Sequence, residues 1–559
     1  MIRRHAGLLL AALAGAAPAQ AQTLSDSLVH QVDRVFAAYD RTDAPGCALG
    51  IYRGGDGTIA YARGYGMANL EVGIAISPRT IFDLGSTSKQ FTALTVLLLA
   101  AEGRLRLDDP VRTWLPELGS WAQPITVRHL VHHSSGLRDY LTLMFLAGVR
   151  FDDVTDDEDA LGLIVRQQAA NFPANTEYLY SNTGYFLLSV IVKRITGRTL
   201  RQVAAERIFE PLGMRHTHYH DDHTMIVPDR ATGYSPREGG GGGYGIEMSG
   251  FEQTGDGSVY TSVEELARWD RNFYDGVVGG MDLVRTQQET GVLANGEHLD
   301  YAAGLTLGRH RGQPTVRHGG SWAGYRAELL RFPQQRTSVA VLCNRSDADP
   351  TGLAQRVAGV VLAEALEPAD SAAAPGPSAA PALSLPREIL LARAGIWVSP
   401  KTGGIRVVRL DGNRLTMGLV QPTPLIALAP ARFRTPAGSV LVFDPGEARP
   451  RMRLERDGRV LDTFEWYPEV NPSPEALAAY AGRYYAEELD ALYDVSVAGD
   501  TLVARVRGRP LLRLLPTYAD AFSDGGTHVA FTRDGRRRVT GFTVQAGRVR
   551  NIRFIRREP

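Results

Sequence analysis

The segment Ile81-Phe82-Asp83-Leu84-Gly85-Ser86-Thr87-Ser88-Lys89, running directly into the apolar stretch Phe91 to Ala101, decides how this chain is read. The apolar stretch predicts a buried helix. Ser86 stands at its start, where free backbone N–H groups and the helix dipole favour developing negative charge. Lys89 follows three residues later, one turn along the same face, so the two side chains can touch. A lysine in a low-dielectric place is pushed toward the neutral amine, which can accept the serine proton and create a nucleophile. Ser-x-x-Lys is a common pattern by itself, but this chain has only three lysines, Lys89, Lys193 and Lys401, among 61 basic residues. Arginine stays protonated and could not replace lysine as a base.

Two further segments carry chemistry. Tyr178-Leu179-Tyr180-Ser181-Asn182-Thr183-Gly184-Tyr185 precedes the apolar helix Phe186 to Ile195. In it, the Tyr180 phenol and the Asn182 carboxamide, two residues apart, can project together. The phenol can pass a proton to a leaving group and the amide can hold a substrate carbonyl. Tyr178 and Tyr185 read as packing residues. The third segment, Thr315 to Ser321, then Gly324 to Pro333, then Ser338 to Asn344, predicts three successive antiparallel strands. His318, Gly319 and Gly320 stand where a substrate backbone can come close, and the backbone amides of Ser321 and Ser86 can form an oxyanion hole.

Together with Val131-His132-His133-Ser134-Ser135-Gly136-Leu137, these segments resemble the penicillin-recognising serine hydrolases, within them the class C β-lactamase and DD-peptidase branch, over roughly residues 30 to 365. The resemblance implies an α/β fold, an antiparallel sheet flanked by helices with an all-helical lobe and the site between them. It implies Ser86 as nucleophile, Lys89 and Tyr180 as the acid/base pair, Asn182 as substrate holder, and no cofactor or metal. His318-Gly319-Gly320 stands where many members carry Lys-Thr-Gly. A neutral histidine and a bare glycine then replace a cation and a hydroxyl, which makes carboxypeptidase and β-lactamase action less expected. Members with His-x-Gly include D-aminopeptidases and esterases. The D-aminopeptidases carry two C-terminal eight-stranded barrels, and a loop of the last one reaches the catalytic site. Pro516 to Asp524 is the candidate for that loop. The competing readings are a β-lactamase or carboxylesterase of the same family, and a non-catalytic binder of cell-wall peptides.

The rest of the chain fits a multidomain layout. At 559 residues it is too long for one core. The Ala/Pro-rich stretch 367–386 reads as a linker between a hydrolase domain (22–366) and a β-rich remainder. That remainder repeats itself: Ala394-Gly395-Ile396-Trp397 returns as Ala481-Gly482-Arg483-Tyr484, Gly412-Asn413-Arg414-Leu415 as Gly499-Asp500-Thr501-Leu502, and Arg456-Asp457-Gly458-Arg459 as Arg533-Asp534-Gly535-Arg536. Two all-β barrels, 387–471 and 472–559, are expected.

Arg3 and Arg4, the apolar run Ala6 to Ala17 and Ala19-Gln20-Ala21 have the three regions of a secretory signal peptide, with cleavage expected after Ala21 and a periplasmic or secreted product. The 61 Lys+Arg balance 61 Asp+Glu, which disfavours nucleic acid as a partner, and no later apolar run is long enough to span a bilayer. A small-molecule or short-peptide substrate is expected. Cys47 and Cys343 lie in strand-like runs and read as buried free thiols rather than as a bridge. Several motifs read as decoys. Lys401-Thr402-Gly403 spells the missing triad but lies in a turn of the first barrel. His218-Tyr219-His220-Asp221-Asp222-His223 spells a zinc motif without a second half-site. Gly239 to Gly243 reads as a surface loop, and Thr155-Asp156-Asp157-Glu158 as a capping box opening a helix through Gln168. His133 is expected to order its turn. The Arg-rich tail, Arg533 to Arg557, reads as the solvated face of barrel strands.

Overall fold

The computed structural model describes residues 23–237, 242–368, 383–444, 450–456 and 458–558. The expected leader, most of the linker and most of the Gly239–Gly243 loop lie outside them. Six antiparallel strands form the main sheet: β1 (Cys47–Arg53), β2 (Thr58–Tyr65), β3 (Thr306–His310), β4 (Gln313–Trp322), β5 (Tyr325–Phe332) and β6 (Thr337–Cys343), in the order β3-β4-β5-β6-β1-β2. The strands β4, β5 and β6 are the three that the sequence predicts. Being central, β1 and β6 are apolar on both faces. One face packs on the helices Asp26–Val35 and Pro350–Val361, and the other on Val263–Asp275 and the helical lobe.

The N- and C-terminal ends of the hydrolase domain meet where β1 inserts beside β6. This sets Cys47 directly opposite Cys343, and the two form a disulfide across 296 residues. The expectation of free thiols is thereby corrected, because the register that makes them neighbours is a long-range property. Replacing both by serine should lower the unfolding free energy by about 2–4 kcal/mol, read by denaturant titration of both proteins.

The nucleophile helix is Lys89–Ala101, and the helix after Ser181 is Asn182–Thr196. The helix in the acidic run is Asp157–Val165, shorter than expected and capped one residue later. Asp156 Oδ1 accepts from the N–H of Glu158 (2.8 Å) and Asp159 (3.0 Å), while Thr155 is drawn away to Gln253.

Both C-terminal units are all-β. In the second, eight strands from Gly482–Ala486 to Val549–Arg557 close into a barrel. The first has nine strands and is nearly closed, the gap falling between Thr423–Pro424 and Ile426–Ala429, where Pro422 and Pro424 lack N–H donors. The repeat is structural: Gly395 and Gly482 open equivalent strands with φ +138° and +149°, and Trp397 and Tyr484 are both buried. The first barrel has its own apolar core, whereas the second is continuous with the core of the helical lobe. Among the described residues, no helix is long and apolar enough to cross a membrane.

Candidate active site

Ser86 lies in a tight 3₁₀ turn, Gly85–Ser88, that feeds the buried helix. The turn is pinned on three sides. Asp83 Oδ1 accepts the Gly85 N–H (2.7 Å), Ser88 Oγ accepts from Val259 (2.9 Å), and Thr87 Oγ1 donates to the His318 carbonyl (3.2 Å). Gly85 has φ +49°, and a Cβ there would lie 2.8 Å from the Ser321 nitrogen. The backbone of Ser321 therefore runs alongside the nucleophile turn. At the start of that turn the Ser86 N–H has no intrahelical acceptor, so both expected oxyanion donors stand at one place.

Lys89 is fully buried, and its Nζ has three partners: Ser86 Oγ (3.1 Å), Asn182 Oδ1 (2.9 Å) and the Asp256 carbonyl. Burial pushes its amine down to about 7, against the opposing pull of the Asp256 carboxylate; burial moves that carboxyl upward in turn. All three partners can accept from the Lys89 Nζ. Once the amine has given up its third proton, Asn182 Oδ1 and the Asp256 carbonyl, which can only accept, keep the two remaining N–H bonds and the lone pair faces the Ser86 hydroxyl.

Tyr180 is held over the same place. Its segment docks on the His133 turn (φ +56°), where the His133 carbonyl accepts from Leu179 (3.0 Å) and Nδ1 accepts from Ser181 (3.2 Å). The rings of His133 and Tyr180 lie 4.2 Å apart. His133 thus positions Tyr180 as well as ordering its own turn, and burial keeps the imidazole neutral. Lys89 Nζ is 4.9 Å from the centre of the Tyr180 ring. The Tyr180 hydroxyl is buried with the Ser86 side chain as its hydrogen-bonding neighbour, and burial drives its ionisation well upward, so it is a phenol with a proton to give. Asn182 opens its helix with its N–H on Asp139 Oδ2 (2.7 Å).

His318 is also neutral, and its tautomer is set by its partners. Nδ1 faces the Gly319 carbonyl (2.7 Å) and must carry the hydrogen, which leaves Nε2 to accept from Tyr301 Oη (3.0 Å). Burial, with Lys89 nearby, pushes the imidazole down to about 3. Both glycines line the cleft that holds Ser86, and each also has a packing role. A Cβ on Gly320 would lie 1.8 Å from the Leu84 carbonyl, so this glycine lets β4 pack on the nucleophile turn. A Cβ on Gly319 would point at Glu328 (3.1 Å), across the register from it.

The site opens into a cleft of about 1430 Å³ that reaches the second barrel. Its far wall is aromatic: Phe151 and Trp322 stack edge to face (5.1 Å), Phe251 lies 5.5 Å from Trp322, and Phe145 stands nearby, half exposed. Of the barrel residues that line the cleft, Val506, Arg509, Pro510, Leu511 and Arg548, the last, in the hairpin after Val539–Ala546, sets its guanidinium 4.7 Å over the Tyr180 ring. The expected loop, Pro516 to Asp524, lies elsewhere: Tyr518 stacks on Tyr467 of the first barrel (4.8 Å) and Thr517 accepts from Val470 (3.0 Å). Tyr301, Asp139, Asp256 and Arg548 were not legible as site residues, since none stands in a local motif. Arg548 and Arg550 also depart from the solvated tail expected, since Arg550 is buried against Glu177.

The decoys resolve locally. Thr402 is in a turn whose Lys401 pairs with Glu177 (3.1 Å). His218 and His220 pack on Tyr260 (5.8 and 4.4 Å), whereas His223 turns away to Glu252 (2.5 Å), so the three histidines do not converge.

Comparison with known proteins agrees with this geometry. Residues 32–362 match the beta-lactamase family model, and the chain belongs to that family, as a penicillin-recognising serine hydrolase acting through an acyl-enzyme. The D-aminopeptidase of Gluconobacter oxydans is 29% identical over 490 residues, covering 87% of this chain and 88% of its own, and that of Brucella ovis is 26% identical over 561 residues, covering 93% and 98%. The fold is also that of the octameric penicillin-binding protein homologue from Pyrococcus abyssi (TM-score 0.55, 23% identity, 78% of this chain and 99% of that one).

Proposed function

We propose that this serine hydrolase is a D-aminopeptidase-like enzyme that cleaves short amides and peptides of D-amino acids, with Ser86 as nucleophile. Neutral Lys89 takes the Ser86 proton as Oγ attacks the carbonyl, and the amides of Ser86 and Ser321 receive the oxyanion. The C–N bond then breaks. Tyr180 gives its proton to the leaving nitrogen and regains one through Lys89, and water releases the acyl group by the reverse route. Asn182, with its Oδ1 taken by Lys89, has its Nδ2 left to hold the substrate. The observation that carries this reading is the buried Lys89 amine, whose Nζ lies 3.1 Å from Ser86 Oγ and is held there by two groups that can only accept, Asn182 Oδ1 and the Asp256 carbonyl. The aromatic wall suits a bulky apolar side chain on the substrate. The chain-length match to two D-aminopeptidases, barrels included, favours this reading over a β-lactamase or carboxylesterase.

We also propose that the protein is exported, with its leader cut after Ala21. The apolar N-terminal run and a disulfide, which persists in oxidising compartments, support this.

One experiment addresses both. Intact-mass spectrometry of protein from its native host, before and after a fluorophosphonate, should show a chain beginning at Gln22 and a single adduct that peptide mapping places on Ser86. Folded protein that takes no adduct would sink the acyl-enzyme reading, and a chain still carrying its first 21 residues would sink export.

A further inference from the structure

The second barrel brings a cation to the cleft. The backbone of Arg548 is clamped by Asn171, whose Nδ2 donates to the Arg548 carbonyl (2.8 Å) while its Oδ1 accepts from the Arg550 N–H (2.8 Å). The guanidinium covers the Tyr180 ring and stands 3.6 Å from Asp139 Oδ2, which is already occupied by the Asn182 N–H (2.7 Å). It is ion-paired with that buried carboxylate, yet it is 43% exposed, lines the same cleft as Ser86 and makes no side-chain hydrogen bond among the described residues, so part of its five-donor fork still faces the cleft. Two other arginines of the cleft are engaged: Arg150 pairs with Asp152, and Arg326 donates to the carbonyls of Ala323 (2.8 Å) and Tyr325 (2.6 Å). A third, Arg509, lines the cleft from the barrel strand Arg509–Pro516, whereas Arg548 is the one set over Tyr180. His318 is neutral and cannot attract an anion.

We propose that Arg548 is the carboxylate-binding residue of this cleft, receiving the free α-carboxylate of an amino-acid leaving group, so that the preferred substrates are D-dipeptides rather than simple amides or esters. This rests on the acyl-enzyme reading above. Tyr180 hands its proton to the departing nitrogen, so the leaving group lies against the ring that Arg548 covers. An α-carboxylate is one carbon away from that nitrogen, and guanidinium binds it through two parallel N–H bonds. In the reaction, a dipeptide and water yield two amino acids. The carbonyl carbon exchanges nitrogen for Ser86 Oγ and then for water oxygen, and the nitrogen leaves with the proton. Delivery of the cation from a separate domain also explains why β4 can do without one.

The test compares D-phenylalanyl-D-alanine with D-phenylalanyl-D-alaninamide on the full chain, reading the acid-to-amide ratio of kcat/KM within each protein. The wild type should favour the acid by about 10- to 100-fold, mostly through KM. Arg548→Gln should bring the ratio near one, and Arg548→Lys should leave it between the two. Protection of wild-type Ser86 from fluorophosphonate by the same two compounds gives a second reading that needs no turnover, with the acid protecting at lower concentration. A wild type without preference in either reading overturns the proposal, and so does an unchanged ratio in Arg548→Gln. Failure of the wild type to take the fluorophosphonate would instead overturn the acyl-enzyme reading.

Discussion

Lys89→Arg should lower kcat/KM by about 10³-fold or more while Ser86 keeps its place, because arginine preserves the length and charge of lysine but not its ability to lose a proton. Lys89→Met, which also removes the charge, serves as the variant of lower steric risk, and thermal unfolding of both checks the fold. The wild-type pH profile carries the sign. Burial moves the amine from its ordinary 10.5 down to about 7. Below that pH Lys89 is a cation and cannot accept the Ser86 proton, and above it the neutral amine predominates. kcat/KM should therefore rise with pH through about 7 and then level off, where an unperturbed lysine would place the rise near 10. The nearby positive charge of Arg548 also favours the neutral amine, so in Arg548→Gln the rise should move to higher pH. A profile flat from pH 5 to 9 in the wild type, or full activity in Lys89→Arg, would remove Lys89 from the role of base.

The parts of this site that could be read from the sequence are those set by local geometry. Ser86 and Lys89 touch because they are one helical turn apart. Tyr180 and Asn182 meet them because a strand-like segment enters the Asn182–Thr196 helix at a fixed spacing. The paired turns of the barrels were legible because a repeated fold repeats its glycines. What remained hidden depends on contacts between distant parts of the chain. The Cys47–Cys343 bridge follows from the register of β1 against β6. Gly320 lines the cleft, but that its bare Cα is also required by the Leu84 carbonyl of another element was hidden. Tyr301 stands in no motif, yet it sets the tautomer of His318. The choice of barrel hairpin failed for the same reason: turn composition marks Pro516 to Asp524 as a loop, but only docking decides which end of a barrel faces the site.

That docking rests on a buried polar joint, and breaking it should have the largest effect on stability. Arg138 and Glu488 pair at 2.5 Å with side chains only 3% and 11% exposed. Arg138 also donates to Gln167 Oε1 (2.9 Å) and to the Arg550 carbonyl (3.0 Å), and Glu488 Oε1 accepts the Gln168 N–H (2.8 Å). Glu488→Ala leaves a guanidinium buried without its counter-charge, which costs about 3–5 kcal/mol. Arg138→Met combined with Glu488→Met should cost less than Glu488→Ala alone, since removing both charges strands neither. Because the core of the second barrel is continuous with that of the helical lobe, loosening the joint should appear as a lower-temperature step in calorimetry and as earlier proteolysis at the strand junctions of residues 472–558. Arg548 hangs from the same joint through Asn171, so Glu488→Ala should also reduce the acid-to-amide ratio although it is remote from substrate. Loss of stability without any change in that ratio would mean that Asn171 alone holds the hairpin in place. An unchanged unfolding temperature would mean that apolar packing, such as Val506 against Gly148, docks the barrel and that the ion pair contributes only its specificity.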